Sequence, residues 1–196
     1  MPSSVATAFL GLDYIVDIMH PDGRVARSAA QAAQRGVVAQ ANRALAHARS
    51  HGWLVALVKV GFAADYADWP PRSRLFARAR ELDALRWDTP GTAFHPELDV
   101  RPSDLIVRKS RISAFYASGL DAALRARGIQ RLVIAGVSTT WAVQSTARDA
   151  HDRDFEVAIV EDACASASLE DHAASIAQLS AFADIVGVDE LLARGA

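Results

Sequence analysis

Three short stretches of the chain bring together residue types able to do hydrolytic chemistry. Phe9-Leu10-Gly11-Leu12 runs into Asp13, a carboxylate that follows an apolar, strand-like run. Leu105-Ile106-Val107-Arg108 runs into Lys109, an ammonium in the same kind of place. Gly136-Val137-Ser138-Thr139-Thr140 follows a third apolar run and opens a helical stretch, whose first N–H groups lack intrahelical partners and can face an oxyanion. A carboxylate moves a proton, an ammonium fixes charge, and free N–H groups hold charge as it develops. Each stretch also has a plainer reading. Asp13 fits a helix cap or a solvated loop, Lys109 fits an exposed member of Arg108-Lys109-Ser110-Arg111, and Thr139 or Thr140 fits an N-cap. The coincidence of all three at strand ends is what singles them out.

The elements that must position these groups alternate along the chain. Apolar, β-branched runs predict strands over 5–12, 53–60, 104–108, 131–136, 155–160 and 185–188. Between them, alanine-rich periodicity predicts helices over 28–51, closed by Gly52, and 117–127, closed by Gly128. Further helices are predicted over 140–153 and 169–183, with a terminal turn at 190–193. The alternation predicts a three-layer α/β fold, a doubly wound and mainly parallel sheet with helices on both faces, in one domain over 1–196. In such a sheet, ligands bind at the carboxyl ends of the strands near the point where strand order reverses. Asp13, Lys109 and the 136–140 turn all fall there. The connection over 61–103, with Trp69-Pro70-Pro71, Pro90-Gly91 and one short helix expected over 73–82, is long enough to be functional or an interface.

Composition narrows the classes. The chain has 196 residues, 51% hydrophobic, without an apolar run approaching the ~20 residues of a membrane span. Residues 5–12 lack a basic leader and a small-residue cleavage site, so a soluble, cytoplasmic protein is expected. A formal charge of −2 with scattered arginines gives nucleic acid little to bind. Cys164 is the only cysteine, and the six histidines form no HExxH, so no disulfide, metal or cofactor is expected.

The stretch Gly136-Val137-Ser138-Thr139-Thr140-Trp141-Ala142-Val143-Gln144-Ser145-Thr146-Ala147-Arg148-Asp149-Ala150 resembles the signature of the isochorismatase-like, or cysteine hydrolase, superfamily, Gly-Val-x-Thr-x-x-Cys-Val-x-x-Thr-Ala-x-Asp-Ala. Leu12-Asp13, Lys109-Ser110 and Val157-Ala158-Ile159-Val160-Glu161-Asp162-Ala163 fall where that family places its other motifs. The resemblance implies a hydrolase whose catalytic set is an aspartate, a lysine and a cysteine. It maps these onto Asp13, Lys109 and the position of Ala142, with a cis peptide at Val137–Ser138. It also implies a small-molecule substrate and a homo-oligomer, a dimer or tetramer, with the long connection as the natural subunit contact.

Ala142 cannot attack a carbonyl, so the thioester route is closed. Cys164, in Asp162-Ala163-Cys164-Ala165, is a poor substitute, and Ser138 and Thr139 lack a GxSxG elbow and an evident histidine partner. Three readings stay open. One is a cysteine-independent hydrolase like the isochorismatases proper, in which the resemblance makes Asp13 a general acid. Another is a cysteine amidohydrolase whose nucleophile has been replaced, and the third is a binding protein that keeps the pocket without the chemistry. Trp141, Tyr14, Trp69, Tyr66 and Phe115 are candidates for aromatic walls around a planar substrate, and Val137 and Ser138 for the oxyanion site. Arg108 and Arg111 are candidates to dock a substrate carboxylate. Asp65 and Asp68 lack the neighbouring histidine of the nicotinamidase zinc motif, which makes nicotinamide a poor candidate.

Overall fold

The computed structural model describes residues 5–194. Its centre is one six-stranded parallel sheet in the order β3-β2-β1-β4-β5-β6. The strands are β1 (Thr7–Leu12), β2 (Leu54–Val60), β3 (Leu105–Lys109), β4 (Arg131–Val137), β5 (Glu156–Ala165) and β6 (Asp184–Val186). Every residue of β1 is buried, as expected of a central strand with helices on both faces. The chain winds outward from β1 to β3, returns to the other side of β1 as β4, and winds outward again. The order reverses between β1 and β4, and the Asp13 and 136–140 segments flank that crevice.

The helices are α1 (Val16–Met19), α2 (Ala29–Gln34), α3 (Val37–Ser50), α4 (Ala77–Glu81), α5 (Leu120–Ala126), α6 (Gln144–His151), α7 (Leu169–Leu179) and α8 (Val188–Ala193). The single helix expected over 28–51 is two, because Gly36 sits at φ +62 between α2 and α3. The α3 cap is as expected: Gly52 N–H donates to Arg49 O and Trp53 N–H to Ala48 O, the paired bonds of a Schellman motif. The expected strand over 104–108 begins one residue later. Asp104 is taken by Arg49, whose Nη2 lies 2.6 Å from Oδ2 and whose Nε lies 3.2 Å from Oδ1.

Two other boundaries move for reasons the side chains supply. The strand expected to end at Val160 continues as β5 to Ala165 through an irregularity, with Gly136 opposite Cys164 rather than three residues earlier. Glu161 and Asp162 look like strand terminators but are satisfied by Arg35 and by the N–H of Val188. The helix expected over 140–153 begins with one turn of π-helix, Thr139–Val143, before α6. The long connection holds only α4 and a 3-10 turn, Pro90–Thr92, around its own apolar cluster of Phe62, Phe76, Ala79, Ala84 and Leu85. No helix among the described residues is long and apolar enough to cross a membrane.

At Gly136 the backbone adopts φ +152, and a Cβ would overlap the carbonyl oxygen of Leu12 on the neighbouring strand. Gly136→Ala is therefore expected to lower unfolding free energy by about 3 kcal/mol. Urea denaturation checks this, and a midpoint unchanged from the parent protein would contradict it.

Candidate active site

The carboxyl ends of β1 and β3 bring Asp13 and Lys109 together in the interior. Asp13 Oδ2 lies 2.7 Å from Lys109 Nζ, and the two side chains are 4% and 1% exposed. Asp13 Oδ1 accepts the N–H of Val60 at the end of β2, 2.7 Å away. Lys109 Nζ also donates to Ile112 O at 2.6 Å. Burial pushes the Asp13 carboxyl above the ordinary carboxylate value, while the Lys109 cation, its hydrogen bond and the Val60 N–H pull the other way without cancelling it.

This pair opens on a cavity of about 610 Å³, a size suited to a small metabolite. The turn after β4 forms its floor, with Val137, Ser138, Thr140, Trp141 and Ala142 lining it and a cis peptide between Val137 and Ser138. Ala142 lies in the π-helical turn and is nearly buried. Trp141, an aromatic-wall candidate, lines the cavity with half its surface exposed.

Four of the aromatic candidates do not line the cavity. Tyr14 is fully buried and spends its hydroxyl on Ala163 O, 2.6 Å away. Phe115 stacks on Phe155 at 6.0 Å, beneath the Arg153 guanidinium. Trp69 donates from Nε1 to Phe76 O within the connection's own core, as Tyr66 does from its hydroxyl to Ala84 O. Each is an aromatic whose polar handle or flat face found a partner during packing. Arg108 also lies outside the cavity lining, paired with Asp88 and stacked over Trp87.

The walls come from two segments, of which the sequence singled out only the long connection, and not these residues. One is the segment before α2, with Arg24, Val25, Ala26, Arg27 and Ser28; the other comes from the long connection, with Leu75, Phe76, Arg78, Ala79, Leu82 and Leu85. Buried Asp17 ties the two together, accepting the N–H of Leu85 at 2.7 Å and that of Arg24 at 3.2 Å. Arg111 also lines the cavity. Arg24 is neutralised by Asp83, but Arg27, Arg78 and Arg111 form no ion pair among the described residues, and Asp171 is the only lining carboxylate besides Asp13. A run of arginines in Ala-rich sequence carries little signal by itself, since its meaning depends on which loop faces which.

Cys164 stands on β5 outside the cavity lining, fully buried, its Sγ donating to Val160 O at 3.3 Å. Burial pushes its thiol up to about 12, so almost no thiolate exists near neutral pH. A thiol reagent is expected to leave Cys164 unmodified in the native protein and to label it fully in denaturant. Native-state labelling as fast as that of a free cysteine would contradict this. Lys109→Met leaves the Asp13 carboxyl buried without its cation and is expected to destabilise the fold by about 3 kcal/mol, read from the denaturation midpoint.

Comparison with known proteins gives this geometry its context. Residues 7–190 match the isochorismatase domain. An uncharacterised isochorismatase family protein of Escherichia coli O157:H7, YecD, is 37% identical over 158 residues, 80% of this chain and 81% of that protein. The ureidoacrylate amidohydrolase RutB of Variovorax paradoxus is 34% identical over 144 residues, 66% of this chain but only 56% of the longer relative. An isochorismatase family protein from Desulfovibrio vulgaris superposes with a TM-score of 0.83 at 27% identity, covering 96% of this chain and 99% of that one. A match over nearly the whole length, in sequence and in fold, shows that this chain belongs to the isochorismatase-like hydrolase family.

Proposed function

We propose that the protein is a cysteine-independent hydrolase of a small, carboxylate-bearing metabolite, with Asp13 as its proton-transfer group. The observation that carries this reading is the buried Asp13–Lys109 pair opening on a cavity where Ala142 offers no nucleophile and unpaired arginines line the walls. An arginine fork matches a carboxylate geometrically and draws it in electrostatically. Trp141 suits a flat substrate body laid across the mouth.

The chemistry follows from these parts. Asp13, its carboxyl raised by burial, donates a proton to the heteroatom of the bond to be broken. Water supplies its oxygen to the carbon, the C–O or C–N bond breaks, and the proton lost by water returns to the Asp13 carboxylate. Lys109 stabilises that carboxylate in the half of the cycle when it is charged. N–H groups of the turn over Val137 and Ser138 face the atom on which negative charge develops. The RutB relatives, named as ureidoacrylate amidohydrolases, make a carboxylate-bearing ureide the first compound to try and an enol ether the second.

The protein, its Asp13→Asn variant and its Ala142→Cys variant are to be assayed for release of ammonia or alcohol across a panel of such compounds. The expected result is turnover by the unmodified protein that falls by about 10³-fold in Asp13→Asn. Turnover confined to Ala142→Cys would replace this reading with that of an amidohydrolase lacking its nucleophile. With the substrate in hand, Arg27→Ala and Arg78→Ala are each expected to raise KM about tenfold at nearly constant kcat, the signature of a lost ground-state contact.

A further inference from the structure

The turn that floors the cavity is held from behind by a chain of polar side chains that the proposed chemistry does not use. Thr139 Oγ1 lies 2.8 Å from His172 Nδ1. His172 Nε2 lies 3.1 Å from Glu161 Oε2. That same oxygen accepts a hydrogen bond from Arg35 Nη2 at 3.0 Å, and Arg35 Nε donates to Cys164 O at 3.2 Å. Thr139 is fully buried and His172 is 5% exposed. The chain joins four elements: α2 behind the cavity wall, the irregular end of β5, α7, and the π-helical turn.

The directions of these bonds are fixed by elimination. Glu161, ion-paired with Arg35, is a carboxylate and only accepts. The His172 nitrogen facing it, Nε2, must therefore carry the proton. In a neutral ring the other nitrogen, Nδ1, is then an acceptor, so the Thr139 hydroxyl must donate to it. The order hydroxyl, imidazole, carboxylate is that of a hydrolytic triad, and it lies beside the position that lacks a cysteine. It is nonetheless turned away from substrate. Thr139 has no exposed surface, and it is skipped by a cavity lining that includes Val137, Ser138, Thr140, Trp141 and Ala142.

We infer that His172 is a positioning residue: its neutral, Nε2-protonated ring, oriented by Glu161, accepts the Thr139 hydroxyl and so fixes the turn that presents Ser138 and Ala142 to the cavity. Burial holds the imidazole below its ordinary value, with Glu161 opposing and Arg35 adding to the depression, which favours the neutral ring near neutral pH. On the other flank of the turn, Ser166 Oγ accepts the N–H of Thr140 at 3.1 Å, and the Thr140 and Ser166 hydroxyls lie 2.8 Å apart. That short contact holds the backbone after Thr139 but leaves Thr139 itself dependent on His172 alone for its side-chain bond.

The importance of this turn rests on the proposed function, but the test needs no substrate, so a wrong substrate class and a wrong positioning role give different results. In the unmodified protein, ¹⁵N-histidine NMR near neutral pH reads which ring nitrogen of His172 bears the proton. Protonation at Nε2 alone is expected; an Nδ1–H ring, or a doubly protonated one, overturns the inference. Hydrogen exchange then compares Thr139→Val, which keeps the shape and removes the donor, with Thr139→Ser, which keeps the donor. Amides over 138–143 are expected to exchange about tenfold faster in Thr139→Val and at nearly the parent rate in Thr139→Ser. Equal exchange in both variants, or acceleration spread over the whole sheet, overturns the positioning role. If Thr139→Val does not fold, the ring-protonation measurement on the unmodified protein still decides.

Discussion

A carboxylate and an ammonium held 2.7 Å apart under almost no solvent are costly to bury and costlier to separate, because either one alone would be an uncompensated charge in the interior. Asp13 and Lys109 come from strands that are not neighbours: β2 lies between β1 and β3 and contributes the Val60 N–H that fills the remaining Asp13 oxygen. The pair therefore exists only if three strands end in register. Leu12 opposite Val58, and Val60 opposite Lys109, are the pairings that achieve this. A slip of one residue would turn Lys109 toward the opposite face and leave Asp13 without its cation. The apolar strands supply the stability, and the ion pair makes one alignment of them the right one.

A second buried carboxylate plays a comparable part in shaping the space in front of the first. Asp17 receives the N–H groups of Arg24 and Leu85, which lie far apart in sequence but on facing walls of the cavity. The close approach of Gly91, where a Cβ would run into the Asp17 carboxylate, packs the 3-10 turn against the same group. Backbone donors in loops need acceptors when they are buried. By meeting that need from a single side chain, the chain gathers a long connection without extended secondary structure into a wall. Arg27 and Arg78 come to line one cavity through this gathering.

The strand ends were legible in the sequence because they depend on local pattern: an apolar run that stops at a charge is visible in five or six residues. Asp13, Lys109 and the Gly136-Val137 turn were found in this way, and the resemblance tied them to one another. The failures share one physical cause. Tyr14, Phe115 and Trp69 were taken as wall candidates for their ring type, yet whether an aromatic faces a cavity or a core depends on where its hydroxyl, indole N–H or ring face finds a partner. Those partners, Ala163, Phe155 and Phe76, belong to other segments or to a loop geometry that spacing does not reveal. His172 was passed over for the same reason. Its partner Thr139 is 33 residues away in sequence, and nothing in Leu169-Glu170-Asp171-His172 marks it.

Ala142 changes what the rest of the site must do. A cysteine nucleophile needs a base, so an aspartate beside it must be ionised before reaction, and burial of Asp13 works against that state while Lys109 works for it. With Asp13 as the proposed acid and no thiol to deprotonate, the opposition loses its cost: burial favours the protonated form, and Lys109 stabilises the carboxylate that proton transfer would leave. In the proposed acid-catalysed cycle, the two influences that would compete in a thiol enzyme serve successive halves. Cys164 does not supply the missing nucleophile, because its sulfur is buried on β5 with its proton engaged by Val160 O. The methyl group of Ala142 fills less of the cavity floor than a thiol side chain would, and Ser138, Asp13 and Lys109 line the same cavity. The proposed hydrolysis by water, the smallest of nucleophiles, agrees with this combination of charge, burial and missing sulfur.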